Sequence, residues 1–268
     1  MSVSPIDPPT DIQLQGMCDL VRETCRKEGL SRVHALLDLS LADNASRKEL
    51  ADLVPEPRFL YRGHYAGPLD DIDPWLIELD LQHPDALLAL CRLCAGRPML
   101  GFIVTPASLD DLLAHLRRQL EARDDEGSLY ILRWADTRCL PVLHGVLDEN
   151  QRARLLQGIS AWLYMGREGA PARLDLERHA ETTSAPNHKL PYQLTAEQAK
   201  ALRASAHPDA LLAQIAKRPE CHGVLAGPPS RRYLAARAAL GALSETASDA
   251  EAIRAVARRL AEDGLLLT

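Results

Sequence analysis

The sequence contains few aromatic residues and none of the short glycine-rich motifs by which many enzyme sites are recognised. Phe, Trp and Tyr make up 4% of the 268 residues, which is too few for a platform that stacks nucleic-acid bases. There is no Gly-Lys dipeptide and so no P-loop, no G-x-G-x-x-G for a dinucleotide, and no G-x-S-x-G for a hydrolase nucleophile. We therefore expect no enzymatic site of these three kinds.

Metal-binding patterns are also missing. No two of the nine histidines lie three or four residues apart, the spacing of a helical zinc site. Cys91 and Cys94 form a single C-x-x-C among leucines, which favours core thiols in a buried helix over a metal or redox site. The acidic segment 70–73 lacks EF-hand spacing, because Leu81 occupies the position where a glutamate would bind calcium. We predict a solvated turn at 70–73 and no metal or cofactor.

Charge and hydropathy argue against nucleic acid and membrane as partners. The net charge is −6 and the sequence pI is about 5.9, whereas binding to a phosphate backbone requires a basic surface. The first residues contain no basic segment followed by an apolar core, as a secretory signal would. No apolar run is long enough to span a bilayer. We expect a cytoplasmic protein whose six cysteines are reduced.

The sequence does contain alternating helix and strand patterns up to about residue 165. A stripe of leucines follows Thr105, which is expected to cap a helix that reaches Leu120, with Arg123 near its C-terminal end. Strands are predicted at residues 33–39, 58–62, 75–79, 99–105, 129–134 and 161–165. Further helices are predicted at residues 11–28, 44–53, 84–94, 137–146 and 149–158. This alternation predicts an α/β fold with a mixed sheet flanked by helices.

The composition changes after residue 165. Residues 166–191 are rich in Gly, Pro and polar residues and are predicted to be a connector. The remainder is rich in Ala and Leu, and two capping-box patterns, beginning at Thr195 and Ser248, predict helices there. The predicted division is an α/β lobe over residues 1–165, the connector, and a smaller all-helical lobe over residues 192–268.

Two polar groups in the α/β lobe allow a structural and a functional interpretation. The sequence HLRR at residues 115–118 would lie on the long helix, where a solvated face that complements the helix dipole is favoured. Arg133, Asp136 and Arg138 follow a predicted strand. Asp136 is placed to cap the next helix, and either arginine to pair with it or with segment 70–73. A structural bracket is favoured there over a partner contact.

Four segments, taken in order, resemble the type VI secretion system effector chaperones, or adaptors, of domain of unknown function 4123. They are LLDLSLADN (36–44), FLYRGHYAGPLDDIDPWLIEL (59–79), TPASLDDLLAHLRRQL (105–120) and LYILRWADTRCLPVLHGVLDENQRARLLQGISAWLY (129–164). The resemblance covers about residues 33–165. The sequence departs from the family pattern at three positions, having His34 for tyrosine, Leu39 for glycine and Thr137 for proline.

The resemblance implies a protein without catalysis of its own. Such adaptors bind a toxic effector in the cytoplasm, keep it soluble and help to load it onto a VgrG-type spike. The implied partners are a cognate toxin effector and a spike protein, and a co-chaperone is a further candidate. The helical lobe is expected to contribute to the specificity for the effector. The residues expected to contact a partner are Tyr61, Trp75, Arg117, Arg118, Arg133, Asp136, Arg138 and Trp162.

Two other functions remain open at this point. One is an enzyme with a dispersed hydrolytic site, in which His64 or His115 would act with the aspartates of segment 70–73. Such a site would lie in a closed pocket and contain carboxylates with perturbed pKa values. The other is a spike or baseplate component that is secreted together with the toxin.

Overall fold

A computed structural model of the chain describes residues 5–54, 56–67, 69, 71–174, 191–244 and 246–267. The helices are α1 (Asp11–Lys27), α2 (Asn44–Leu53), α3 (Pro84–Leu93), α4 (Leu109–Arg117), α5 (Cys139–Val146), α6 (Glu149–Leu155), α7 (Ala196–Lys217), α8 (Pro219–His222), α9 (Pro229–Gly241) and α10 (Asp249–Glu262). The strands are β1 (Arg32–Leu37), β2 (Arg58–Phe59), β3 (Trp75–Asp80), β4 (Leu100–Val104), β5 (Glu121–Asp124), β6 (Leu129–Ile131), β7 (Ala161–Met165), β8 (Pro171–Arg173), β9 (Tyr192–Leu194), β10 (Val224–Leu225) and β11 (Leu266–Leu267). The predicted α/β fold class and the helical C-terminal region are confirmed.

The largest sheet has six strands in the order β2-β3-β1-β4-β7-β8. Every neighbouring pair in it is antiparallel. The parallel pairing lies instead in a second sheet, ordered β6-β5-β9, where β5 runs antiparallel to β6 and parallel to β9. The mixed strand directions therefore come from β9, near residue 192, which pairs with β5 from the first half of the sequence.

The six-stranded sheet separates two hydrophobic cores. Side chains of successive strand residues point to opposite faces, so Ala35 and Leu37 pack on one face and Leu36 on the other. The first face is covered by α1, α2 and α3. The second face packs against α4, α5, α6 and the β5–β6 hairpin. Both faces are buried, which accounts for the continuous apolar sequence of β4, all of whose residues are buried.

A third core joins the C-terminal helices. It contains Leu211 and Ile215 of α7, Ala236 of α9, and Val256 and Leu260 of α10. The two predicted capping boxes are present, at the N-termini of α7 and α10. In this region β10 and β11 also form a two-stranded antiparallel ladder, which the prediction of an all-helical segment did not include.

The long helix predicted after Thr105 is shorter than expected. It begins at Leu109, because the Ser108 side chain accepts a hydrogen bond from Asp111 N and so forms the cap. Thr105 instead donates its hydroxyl proton to Gly158 O at 2.6 Å. The helix ends at Arg117, and Arg123 lies in β5. The leucine stripe continues past the end of α4 because Leu120 packs in the same hydrophobic core as the leucines of the helix. The spacing of the leucines alone therefore did not locate the C-terminal end of α4.

The predicted connector contains one strand and is followed directly by another. Strand β8 lies within it and extends the six-stranded sheet. Strand β9 begins where the helical lobe was predicted to start, and it pairs with β5. Residues 175–190 of the predicted connector, and Asp70 of the acidic segment, lie outside the described residues. The division into two lobes stays a prediction.

The C-x-x-C motif is part of the core, as predicted. Cys91 on α3 and Cys94, which caps the C-terminal end of that helix, are both 4% exposed. All six cysteines are free of disulfide bonds. Burial raises the pKa of the Cys94 thiol to about 12, so this thiol stays protonated and unreactive at neutral pH.

Neither membrane-spanning helices nor clustered metal ligands occur in the described part of the chain. None of its helices combines the length and the apolar content that crossing a bilayer requires. Within the same residues, no three His, Cys, Asp or Glu side chains are grouped so as to hold a metal ion.

The contact between Gly101 and Trp162 gives a test of the packing. A Cβ at Gly101 would lie 2.9 Å from Trp162 Nε1, and Trp162 is fully buried. We predict that Gly101→Ala lowers the free energy of unfolding by about 1–3 kcal/mol, because the indole ring must shift inside a packed core.

The matched control is Gly145→Ala. A Cβ there meets nothing within 4 Å, and alanine favours a helix over glycine by about 1 kcal/mol. Urea unfolding of both variants should therefore give changes of opposite sign. Equal stability of Gly101→Ala and the unaltered chain would contradict the packing described here.

Candidate functional site

The carboxylate of Asp136 is fully buried and held by Arg138. It accepts hydrogen bonds from Arg138 N at 3.0 Å, Nε at 3.1 Å and Nη2 at 2.7 Å. Arg133 Nη2 lies 3.9 Å away on the other side. Burial opposes the charged form, but the hydrogen bonds and positive charge of Arg138 outweigh it and hold the pKa of Asp136 below its usual value. The side chain is therefore an anion at neutral pH.

Arg133 connects this carboxylate to the turn that follows β1. Its Nη2 donates to Asp38 Oδ2 at 2.5 Å and to Ser40 Oγ at 2.8 Å. Asp38 is 2% exposed, and its Oδ1 also accepts hydrogen bonds from Ser40 N and Oγ. The segment between β6 and α5 is thus fixed to the end of a central strand.

The chain of charges also extends toward the C-terminal helices. Asp209 of α7 accepts two hydrogen bonds from Arg167, at 3.1 and 2.7 Å, and its Oδ2 lies 3.8 Å from Arg138 Nη1. The Arg167 guanidinium lies over the ring of Tyr233 in α9, 3.6 Å from its centroid. We call the connected charges the charge chain; its residues are Asp38, Arg133, Asp136, Arg138, Asp209 and Arg167.

The structure corrects one expectation about these residues and decides between two alternatives for another. Asp136 does not cap α5, whose N-cap residue is Arg138, without a side-chain cap bond; the helix starts at Cys139 because the Asp136 carboxylate holds the turn before it. Of the two alternatives for the arginines, pairing with Asp136 is the one found among the described residues, and the arginines also pair with Asp38 and Asp209. These internal pairs match the interpretation as a structural bracket.

A groove runs beside the charge chain, between α5 and α7. Its hollow has a volume of about 370 Å³. Its walls include apolar side chains of the segment after β6, of α5 and of α7, among them Leu132, Val142 and Leu202. Five residues of the charge chain (all except Asp38) and Arg203 of α7 also line the groove. We call this hollow the α5–α7 groove.

The Arg138–Asp209 contact separates the α5–α7 groove from a second hollow. Both residues line both spaces. The second hollow has a volume of about 100 Å³ and is bounded on its far side by Pro229 and Arg232 of α9. The charge chain therefore forms a partition between the β6 side and the α9 side of α7.

The loop that joins β2 to β3 is held by another buried carboxylate. Asp73 is fully buried and accepts hydrogen bonds from Tyr61 N at 2.6 Å and Arg62 N at 2.9 Å. Burial raises the pKa of Asp73, and these two bonds only partly offset it. Arg117 donates to backbone carbonyls of the same loop, those of Phe59, Leu60 and Arg62.

The prediction of a solvated turn at 70–73 is therefore wrong for Asp73. A carboxylate that accepts backbone N–H groups stabilises a loop from the inside, which the spacing of aspartates did not reveal. Asp71 is exposed and forms an ion pair with Arg47 of α2.

The residues expected to contact a partner do not form one surface. Trp162 is fully buried and Tyr61 is 8% exposed, so a partner would reach them only if the core opened. Trp75 packs partly against the core on the opposite face of the sheet from Tyr61. Arg117 binds the β2–β3 loop, while Arg118 is exposed.

Only Arg133, Asp136 and Arg138 of the expected set are brought together in the charge chain. Arg133 keeps 42% of its side chain exposed, whereas Arg138 keeps 17%. Arg133 is thus the member most accessible to a partner.

The two histidines considered as catalytic bases have structural contacts. His115 Nε2 lies 2.7 Å from Leu155 O in the core, and His64 Nε2 lies 3.7 Å from Glu121 Oε1. Neither contact is with the aspartates that a hydrolytic site at 70–73 would use. Asp73, the one with a raised pKa, is occupied by the backbone of the β2–β3 loop.

Sequence reasoning did not identify Asp209 and Arg167 as members of the site. Asp209 lies in the middle of α7, 73 positions beyond Asp136. In the sequence, an aspartate within a helix is expected to face solvent. Asp38 appeared in the sequence only as part of the segment LLDLSLADN (36–44). Its position after a buried strand is the one local signal that pointed to this edge of the sheet.

Comparison with known families gives one match. Residues 33–154 match the sequence profile of the family described as Domain of unknown function (DUF4123). The matched range is fewer than half of the 268 residues. It includes Asp38, Arg133, Asp136 and Arg138, and it ends within α6, so that Trp162 and β7 lie beyond it, in contrast to the predicted extent of about 33–165. No curated protein and no solved structure matches the chain.

The buried charge of Asp136 leads to a stability prediction. We expect Asp136→Asn to lower the free energy of unfolding by about 3–5 kcal/mol, because it removes the nearest anion, at 2.7 Å, from the largely buried guanidinium of Arg138. Asp110→Asn is the control, since Asp110 also pairs with an arginine, Arg58, but keeps 74% of its side chain exposed. Denaturant unfolding should show a loss below about 1 kcal/mol for the control.

The pH dependence of the free energy of unfolding should show whether the charge of Asp136 causes this loss of stability. Because the folded-state pKa of Asp136 is depressed, its contribution is complete above the unfolded-state pKa and is lost as the pH falls through the folded-state value. The difference in stability between the unaltered chain and Asp136→Asn should therefore stay constant from pH 7 down to the unfolded-state pKa and shrink below it. A difference that stays constant below that pKa as well would contradict the assignment of Asp136 as the buried anion.

Proposed function

We propose that this protein is a cytoplasmic adaptor that binds a toxin effector of a type VI secretion system, keeps it soluble and helps to load it onto a VgrG-type spike. The observation that carries the proposal is the match of residues 33–154 to the DUF4123 family, together with the ordered motifs of that segment. In this proposal the protein has no catalysis of its own.

The groove supports a role in binding a protein segment. Its lining combines apolar side chains with four arginines, and arginine is enriched in protein interfaces. A stable interface needs on the order of 1,000 Å² of buried surface, which is more than the groove alone provides. The partner would therefore also cover the surface around it, including the exposed part of Arg133.

The two walls of the groove have different origins, which bears on specificity. The wall formed by the segment after β6 and by α5 lies in the family-matched residues, whereas the α7 wall lies outside them. In the proposed adaptor, the first wall would serve the function common to such proteins. Variation in α7 would then select the effector.

Co-expression tests the proposal directly. The chain produced together with the toxin encoded beside it should raise the soluble yield of that toxin, and the two should co-purify. Failure to form a complex with either the neighbouring toxin or a spike protein would contradict the proposal. Release of the chain into the medium with the toxin would instead indicate a spike or baseplate component.

A charge reversal at the rim sharpens this test. Arg203→Glu changes a surface residue of the groove whose Nη1 donates to Tyr130 OH at 2.8 Å, and we expect it to weaken the complex by about tenfold or more if the partner is anionic at this point. Arg237→Glu, on the exposed side of α9, is the matched control with the same change in net charge. Equal retention of toxin by both variants would contradict the binding of an anionic part of the toxin at Arg203.

A further inference from the structure

Strand β6 is an edge strand. It pairs with β5, and no other strand in the described residues lies on its second side. Its first and last residues, Leu129 and Ile131, are each 51% exposed. An uncovered edge with apolar side chains is a template for pairing with another chain, and folded proteins usually protect such an edge with charges or a cover.

The pairing pattern shows which backbone groups face the free side. Leu132 N donates to Leu120 O, and Asp124 N donates to Ser128 O. Because hydrogen-bonded and non-bonded pairs alternate in an antiparallel ladder, Tyr130 then belongs to the bonded set. The N–H and C=O groups of Leu129 and Ile131 therefore point away from β5.

The free edge continues into the α5–α7 groove. Ile131, the last residue of the strand, lines the groove together with Leu132 and Arg133, which follow it. An extended chain that pairs with β6 and runs past Ile131 would enter the hollow between α5 and α7. The edge and the hollow thus form one elongated site.

The charged side chains that line the α5–α7 groove favour the binding of an anionic segment. The groove is lined by four arginines and two aspartates, and Arg138 and Arg167 already bind these aspartates. Arg133 and Arg203 use one nitrogen each in the bonds found within the described residues. A guanidinium has five N–H groups, so both retain donors that suit a carboxylate.

A second copy of this chain fits the site less well. Two β6 strands paired edge to edge would join only three residues from each copy and leave the hollow empty. Such a contact is far below the roughly 1,200 Å² or more that stable interfaces bury. A segment that fills both the edge and the hollow buries more apolar surface.

We propose that the β6 edge and the α5–α7 groove bind an extended segment of the partner protein as an added strand. The segment pairs with the backbone of Leu129 and Ile131, places an apolar side chain in the hollow and sets a carboxylate between Arg133 and Arg203. This inference rests on the proposed adaptor function for the identity of the partner, but not for the existence of the site.

A peptide assay tests the site without the toxin. The probe is a labelled nonapeptide of alternating valine and threonine with glutamate at both ends, and its counterpart has lysine at both ends. Fluorescence anisotropy with the full chain should show the glutamate peptide binding about tenfold or more tightly than the lysine peptide, because like charges repel at the arginines. Hydrogen exchange at the Leu129 and Ile131 amides should slow when the glutamate peptide binds.

Matched variants locate the binding. Ile131→Lys should reduce the affinity for the glutamate peptide by about tenfold or more, since a lysine on an edge strand opposes pairing. Ile12→Lys is the control, because Ile12 is 84% exposed on α1. Unfolding curves verify that both variants fold.

Three results would overturn the proposal. One is absence of binding at millimolar peptide, or equal binding of both peptides. Another is protection of the Leu129 and Ile131 amides in the free chain, which would show that the edge is already covered. The third is a dimer in sedimentation that Ile131→Lys dissociates, which would assign the edge to a second copy. Failure of the peptide assay with an intact toxin complex would reject this site and leave the adaptor function standing.

Discussion

The position of the groove depends on one buried carboxylate. An unpaired anion in a protein interior costs several kcal/mol, so Asp136 requires the guanidinium of Arg138 to remain beside it. Arg138 in turn lies against Asp209, which also holds Arg167. The distance between α5 and α7 is therefore set by alternating charges as well as by apolar packing.

Much of the fold could be predicted from local pattern. Local apolar patterns located β3, β7, α2 and most of α1 to within a few residues, because the residues that form each of these elements are neighbours in the sequence. They did not separate α4 from β5, since Leu120 is buried beyond the helix end. The parallel pairing of β5 with β9 joins segments about 70 residues apart, and no local pattern encodes such a contact.

The site could be predicted only in part, for the same physical reason. The spacing of Arg133, Asp136 and Arg138 indicated a local bracket, and the structure has one. Asp209 and Arg167 join it through tertiary packing, so their sequence neighbourhoods contain no signal. Tyr61 and Trp162 were selected as motif residues, yet both lie in the core, where a recurring aromatic residue reflects packing.

The most direct measurement is hydrogen exchange of the complex formed with the co-expressed toxin, compared with the free chain. The account predicts slower exchange in residues 128–138 and in the part of α7 around residues 199–209, which form the two walls of the groove. Slower exchange confined to α1 and α3, on the far side of the six-stranded sheet, with no change at the groove, would contradict it.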